Sequence, residues 1–242
     1  MKFCVSLTTL PSRINNIAET LKSINSQTLK PEKIFINLPY EFRRFKDYKF
    51  KDFDIKKLLD NNIEIVRCKD YGPSTKLMGS LENIRNNYNC VILLDDDHNY
   101  HPKLFEIFLK NYRIDQVNYS FYLNKIFNIR MGQCADGFLF NCKYLDEIEF
   151  FYNKYVDNNI NMFLDDDLWF AVYLYLEKKT KIVSLIDEFR STTDSKFVYT
   201  QNLNKDIDAL HQTVHKDGLI LNRRKIQKIE YIKYKIKKFF KY

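Results

Sequence analysis

The sequence predicts a single α/β domain built on a mostly parallel central sheet flanked by helices. Between Lys2 and Asp97, short apolar runs alternate with helical stripes in the order β-α-β-α-β-α-β, the rhythm of a doubly wound sheet. The last of these runs, Cys90-Val91-Ile92-Leu93-Leu94, has no polar alternation. It therefore reads as a strand covered on both faces.

Each element has its own local signal. Lys2 to Thr8 forms a first strand, and Thr9-Leu10-Pro11-Ser12-Arg13 its loop. Ile14, Ile17, Leu21 and Ile24 share one helical stripe. Pro31 resets the chain, and Lys33 to Leu38 makes the second strand. The basic, aromatic segment Tyr40 to Phe53 is a surface excursion leading to a short helix around Ile55 to Leu59, before a third strand, Ile63 to Cys68. Tyr71-Gly72-Pro73-Ser74 is a turn signal that opens a helix carrying Leu77, Leu81 and Ile84, with Ser74 as its cap. Beyond Pro102 a helix runs to about Arg113, and β-rich sequence continues to Asn141. Then come a helix from Tyr144 to about Tyr155, a helix with Trp169, Tyr173 and Leu176 on one face, and a late strand from Lys181 to Ile186.

Composition bounds the class. A chain of 242 residues, 45% hydrophobic, suffices for one sizeable core and is short for two. No apolar run approaches the ~20 residues needed to span a bilayer, and Met1-Lys2 runs straight into a strand, unlike a signal peptide. Cys4, Cys68, Cys90, Cys134 and Cys142 are scattered, odd in number and without CxxC spacing. They read as reduced residues of a cytoplasmic protein. The formal charge is +8, but Arg223, Arg224, Lys225, Lys228, Lys233, Lys235, Lys237, Lys238 and Lys241 against Glu230 supply all of it. Residues 1–222 are formally neutral, which argues against a nucleic-acid face on the body.

Chemistry concentrates after the fourth strand. Asp95, Asp96 and Asp97 cannot share the core with Leu94, so the strand delivers them to its carboxyl edge, where ligands bind in open α/β sheets. Crowded like charges repel by several kcal/mol at low dielectric. A hard divalent metal is the simplest offset; the alternative is that one Asp caps the next helix and the others are solvated. A second triplet, Asp165-Asp166-Asp167, opens a helix, where the macrodipole favours negative charge and capping is again the competing explanation. Two triplets suggest a division of labour, one set holding a metal and the other supplying a base. The loop Lys69 to Lys76 lies at the same edge: Gly72 permits close backbone approach, and a helix amino terminus with Lys76 could meet a phosphate. An ordinary turn with a solvated lysine is the alternative, since the loop matches neither the Walker A loop nor the dinucleotide fingerprint.

Together Val5 to Arg13, Tyr71 to Leu77, Leu93 to Asp97, Asp136-Gly137-Phe138 and Asp166-Asp167-Leu168-Trp169 resemble the GT-A glycosyltransferases of the family 2-like branch, in the nucleotide-diphospho-sugar transferase superfamily. The resemblance spans roughly residues 3–175, and Asp95-x-Asp97 is similar to that family's DxD signature. It implies a single Rossmann-like GT-A domain over residues 1–222, with a nucleotide-binding half (1–101), an acceptor-side half (102–222) and a basic tail (223–242). By the same resemblance Asp97, with Asp95, would ligate Mn²⁺ or Mg²⁺, and Asp95 could instead contact the ribose. Thr8, Arg13 and Asp70 would border the base and ribose. Gly72, Lys76 and Asp96 would line the donor, with Lys76 near the diphosphate, and the Asp136-Gly137 turn would approach the sugar or acceptor. Asp166-Asp167 stands where the family commonly has Glu-Asp, so either could be the base. The implied activity is inverting transfer from a nucleoside diphosphate sugar, most simply a UDP-sugar, to a glycan or lipid-linked hydroxyl.

His98 and His101 flank the first triplet and read as helix caps or solvent-facing groups, with a supporting place beside the metal as the alternative. His215, one turn beyond His211, is a candidate third metal ligand, and Asn222-Arg223 could reach the diphosphate. In the tail, Ile226, Ile229, Ile232, Ile236, Phe239 and Phe240 recur at three- and four-residue spacing among lysines. This basic amphipathic helix fits either an anionic membrane surface or a stripe packed on the domain or on a partner. Two other functions fit less well. A sugar-phosphate nucleotidyltransferase usually carries a Gly-rich basic loop after its first strand, and Thr8 to Arg13 has no Gly; a non-catalytic membrane-peripheral scaffold would use both Asp clusters only as helix caps.

Overall fold

The computed structural model describes residues 1–15, 17–45, 47, 49–51, 62–188 and 223–239. The expected helix around Ile55 to Leu59, together with His211, His215 and Asn222, lies outside them, as does the side chain of Arg223. Strands β1 (Phe3–Thr8), β2 (Lys33–Pro39), β3 (Ile63–Cys68) and β4 (Cys90–Leu93) fall where the apolar runs predict, and neighbours among them pair in parallel. β5 (Asn118–Ser120), β8 (Phe138–Asn141) and β9 (Ile182–Ser184) complete a seven-stranded sheet of order β3-β2-β1-β4-β8-β5-β9. β8 runs antiparallel to β4 and β5. A separate ribbon pairs β6 (Leu123–Ile126) with β7 (Ile129–Gly132).

Alternation along the strands fills two cores. Val5, Leu7, Ile34, Ile36 and Ile92 face α1 (Ile17–Asn25) and α4 (Leu104–Asp115), meeting Ile17, Leu21, Leu104 and Phe108. Cys4, Phe35, Val91 and Leu93 belong to the opposite core with Leu77 of α2 (Thr75–Met78), Leu81 and Ile84 of α3 (Leu81–Asn87), and Trp169 of α7 (Asp166–Val172). Burial on both faces is why these strands lack polar alternation. The five cysteines are free, and no described helix is long and apolar enough to cross a membrane.

The helix predicted from Ser74 onward is divided into α2 and α3 at Gly79-Ser80. A Cβ on Gly79 would lie 2.7 Å from Asn37 Oδ1, and Ser80 Oγ hydrogen-bonds the same oxygen. Ser74 does not cap. It already has helical dihedrals, φ −72° and ψ −1°, because Gly72–Ser74 is a tight 3₁₀ turn, so its hydroxyl turns back to Tyr71 O at 2.6 Å. The helix expected from Tyr144 begins late, as α5 (Ile148–Phe151), and continues to Val156 in wide five-residue turns; α7 continues in the same way to Glu177. A short α6 (Ile160–Phe163) precedes α7.

The tail forms α8 (Arg223–Phe239). Its packed face is Gln227, Glu230, Tyr231 and Tyr234, all buried, and not the isoleucine stripe. Of the placements that the sequence left open for that stripe, membrane surface, domain or partner, the domain-packed one is overturned for Ile229, Ile232 and Ile236, which are exposed. Hydrogen bonds to Asp165, Asn159 and Asn161 reward the polar face instead.

Candidate active site

Strand order supplies the site. β1 has β2 on one side and β4 on the other, so successive connections leave in opposite directions and open a crevice at their carboxyl ends. The loop after β1 and the triplet after β4 meet there. Thr9 Oγ1 donates to Asp96 Oδ2 at 2.5 Å, and Arg13 Nη1 reaches Asp96 Oδ1 at 3.0 Å and Asp97 Oδ2 at 3.4 Å. Thr20 of α1 donates to the Asp96 carbonyl at 2.8 Å, while the Tyr100 hydroxyl accepts from the Asp95 N–H at 2.9 Å. The triplet is therefore locked to the loop and to α1.

The second triplet enters from the opposite layer. Asp165 Oδ1 accepts the Leu168 N–H at 3.2 Å, the capping role, and its Oδ2 accepts from Gln227 of α8 at 2.7 Å. Asp166 Oδ2 lies 3.1 Å from Lys76 Nζ, and the same ammonium hydrogen-bonds Asp95. Lys76 thus joins the two acid triplets from the start of α2. Asp167 is half-buried, with Oδ1 accepting the Cys134 N–H at 3.1 Å.

Charge follows from these pairings. Burial alone would strip the proton from Lys76, but Asp166 and Asp95 outweigh it and hold the ammonium charged well above the ordinary lysine range. Burial raises the carboxyl of Asp166 against the pull of Lys76, and likewise that of Asp96 against Arg13. Asp97 goes the other way. Burial resists its ionisation, yet the hydrogen bond from His98 and the Arg13 guanidinium keep it below the usual carboxylate value.

His98 neither caps nor faces solvent: its Nδ1 is 2.6 Å from Asp97 Oδ1 and its side chain is 13% exposed. Burial disfavours its proton, but Asp97 and Asp95 more than compensate and raise its pKa. His101 does not cap α4 either, whose N-cap residue is Lys103; its Nδ1 accepts the Lys103 N–H at 3.2 Å in the turn before the helix. Ligand atoms of Asp95, Asp97 and His98 lie within 4.8 Å of one another, as do those of Cys134, Asp166 and Asp167. The first set, two carboxylates beside an imidazole, fits a hard or borderline divalent cation such as Mn²⁺.

The other predicted residues take structural duties. Thr8 Oγ1 donates to the Asn37 carbonyl at 2.7 Å. Asp70 uses Oδ1 for the Gly72 N–H and Oδ2 for the Arg43 N–H, each at 2.8 Å. Gly72, at φ +64°, packs so closely on Phe163 that a Cβ would come 2.5 Å from its carbonyl; the approach that glycine permits is to this chain itself, two residues before Asp165. Asp136 is buried in a 3₁₀ turn ending at Gly137, φ +90°, and its charge helps raise His98. Sequence reasoning missed Thr9, Thr20, Tyr100 and Gln227. Thr9 and Tyr100 neighbour motif residues and were within reach of it, whereas nothing local ties Gln227 to Asp165.

No protein-family model matches the sequence, and no curated protein matches it. The crevice, the sheet order and the seven-stranded mixed sheet define a GT-A fold. Solved structures share this fold. It is similar to TarS of S. aureus in complex with UDP, at 12% identity and TM-score 0.52, over 77% of this chain and 58% of that one. It is also similar to the 4-diphosphocytidyl-2C-methyl-D-erythritol synthase of Anaerococcus prevotii, at 14% identity and TM-score 0.51, over 88% of this chain and 96% of that one. The chain spans less than two thirds of the TarS chain.

Proposed function

We propose that the protein is a metal-dependent, inverting glycosyltransferase that moves a sugar from a nucleoside diphosphate sugar to a hydroxyl of a glycan or lipid-linked acceptor in the cytoplasm. The observation that carries this reading is the Lys76 bridge, which gathers Asp95 and Asp166 around one ammonium and so sets both triplets at one crevice. Helix capping accounts for Asp165 alone. A UDP-sugar is the donor of choice, in keeping with the UDP held by the similar TarS fold.

Asp97 and Asp95 would hold Mn²⁺ or Mg²⁺, which supplies Lewis-acid stabilisation of the charge building on the leaving diphosphate. Arg13 and Asp96 border the nucleotide, with Thr8, Asp70 and Gly72 shaping the loops around it; the Asp136-Gly137 turn borders the sugar. Lys76, committed to Asp95 and Asp166, acts by holding them in register. Asp167 is the better base, because Asp166 is buried and paired with Lys76, whereas Asp167 is half-exposed and steadied by the Cys134 N–H. A carboxylate taking the acceptor proton as the hydroxyl attacks contributes ~10²- to 10⁴-fold in rate. Attack opposite the leaving group inverts the anomeric carbon, and no enzyme nucleophile is required.

A second reading, sugar-phosphate nucleotidyl transfer, draws on the A. prevotii synthase, of whose chain this one covers 96%. A thermal-shift screen separates the two. With Mn²⁺, UDP or another nucleoside diphosphate should stabilise the wild type by ~2.7 kcal/mol at a hundred times its Kd, and Asp97→Ala should abolish the shift. Stabilisation by CTP or another triphosphate with none by any diphosphate would favour the synthase reading. No shift with any nucleotide would sink both.

A further inference from the structure

The helix α8 docks by one face and presents another. Glu230 accepts from Asn159 at 2.5 Å and Asn161 at 3.2 Å, and Gln227 donates to Asp165. Tyr231 stacks on Phe127 with ring centroids 5.3 Å apart, and Tyr234 packs edge-on to Tyr155 at 4.9 Å. At ~100° per residue these four side chains share one face of the helix. Ile229, Ile232 and Ile236 project on the opposite face, 40%, 47% and 51% exposed. Lys228 and Lys235 border them on one side, Lys233 and Lys237 on the other, and all four lysines are exposed. An ordinary surface helix turns its apolar stripe inward; here the stripe points away from the domain.

We infer that this outer face of α8 docks on an anionic lipid bilayer, with the helix lying in the headgroup plane. Ile229, Ile232 and Ile236 enter the acyl boundary, and Lys228, Lys235 and Lys237 meet lipid phosphates, while Lys233 stays paired with Glu230. Charge favours a bilayer over a protein partner. A partner covering so narrow a stripe would have to desolvate or neutralise a lysine row on each side, whereas a bilayer lets the lysine stems lie along the apolar surface and their ammonium groups reach the phosphates. The chain's whole formal charge of +8 resides in this tail. The inference is independent of the catalytic reading, because it concerns a face turned away from the contacts with Asp165.

The test is co-sedimentation of the full chain with vesicles of phosphatidylcholine alone or mixed with phosphatidylglycerol. The wild type should bind the mixed vesicles and not the neutral ones, and binding should fall as salt rises. Ile232→Asn/Ile236→Asn should bind mixed vesicles at least about tenfold more weakly at an unchanged melting temperature, and Lys228→Gln/Lys235→Gln/Lys237→Gln should bind them more weakly and with a smaller salt dependence. Hydrogen exchange on the wild type needs no variant: residues 227–239 should gain protection when mixed vesicles are added. Absence of that protection, or equal binding by the isoleucine variant, overturns the inference. So does a wild-type dimer that the isoleucine variant converts to monomer, since the stripe would then belong to a second copy of the chain.

Discussion

Asp95-Asp96-Asp97 and Asp165-Asp166-Asp167 are the same three letters in opposite settings. The first triplet leaves the end of a buried strand at the sheet's switch point, and each of its carboxylates meets a cationic or hydroxyl partner: Lys76 for Asp95, Thr9 and Arg13 for Asp96, Arg13 and His98 for Asp97. The second enters a helix, which consumes Asp165 as its cap and leaves Asp166 and Asp167 pointing to different neighbours. Identical strings thus divide their labour according to the backbone that carries them.

Lys76 is where that comparison breaks hardest. Lys76→Met leaves Asp166 buried without its counter-charge, and breaking a buried pair from one side costs roughly 3–5 kcal/mol. Urea unfolding should show a loss of that order, and Lys76→Met/Asp166→Leu should recover much of it; a single-variant loss below about 1 kcal/mol would mean that the bridge contributes little. Within the second triplet, Asp167→Asn should lower turnover by ~10²- to 10⁴-fold with little change in stability, whereas Asp165→Ala should cost about 1 kcal/mol or more of stability through the lost cap and far less turnover. Equal losses of turnover in the two variants would contradict the division.

A gentler effect separates α8 from the crevice. Burial opposes ionisation of Glu230, but hydrogen bonds from Asn159, Lys233 and Asn161 outweigh it and keep its carboxyl below the ordinary glutamate value. Its folded pKa lies below the unfolded one. Its contribution is therefore present above the unfolded value of ~4.3 and is lost as pH falls through the depressed one. Hydrogen exchange should show α8 loosening at acid pH before the parallel strands do, and Glu230→Gln should flatten that dependence.

Much of the parallel half was legible in the sequence because its cause is local. A strand covered on both faces must be apolar without alternation, so Val5, Ile34, Ile36 and Ile92 announce themselves. Three aspartates abutting Leu94 must emerge where that strand ends. The first triplet and the Lys69 to Lys76 loop could therefore be placed at one edge, whereas the second triplet was legible only as the start of a helix; the GT-A fold expected from these features is the fold observed. The later elements were read with poorer boundaries, since short helices such as α5 and α6 are held by aromatic packing more than by any repeating pattern.

The sequence by itself determined the alternation, the positions of the acidic clusters and the grouping of the tail isoleucines, because burial free energy writes these into periodicity and composition. Tertiary structure alone decided that Lys76 pairs with Asp95 and Asp166, that His98 backs Asp97, and that Gly72 yields to Phe163. Such pairings join residues remote in the chain and leave no periodic trace. It also decided which way α8 turns. A hydrophobic stripe specifies which residues point together, but their direction was set by Asp165, Asn159 and Asn161, whose hydrogen bonds draw Gln227 and Glu230 inward and leave Ile229, Ile232 and Ile236 facing out.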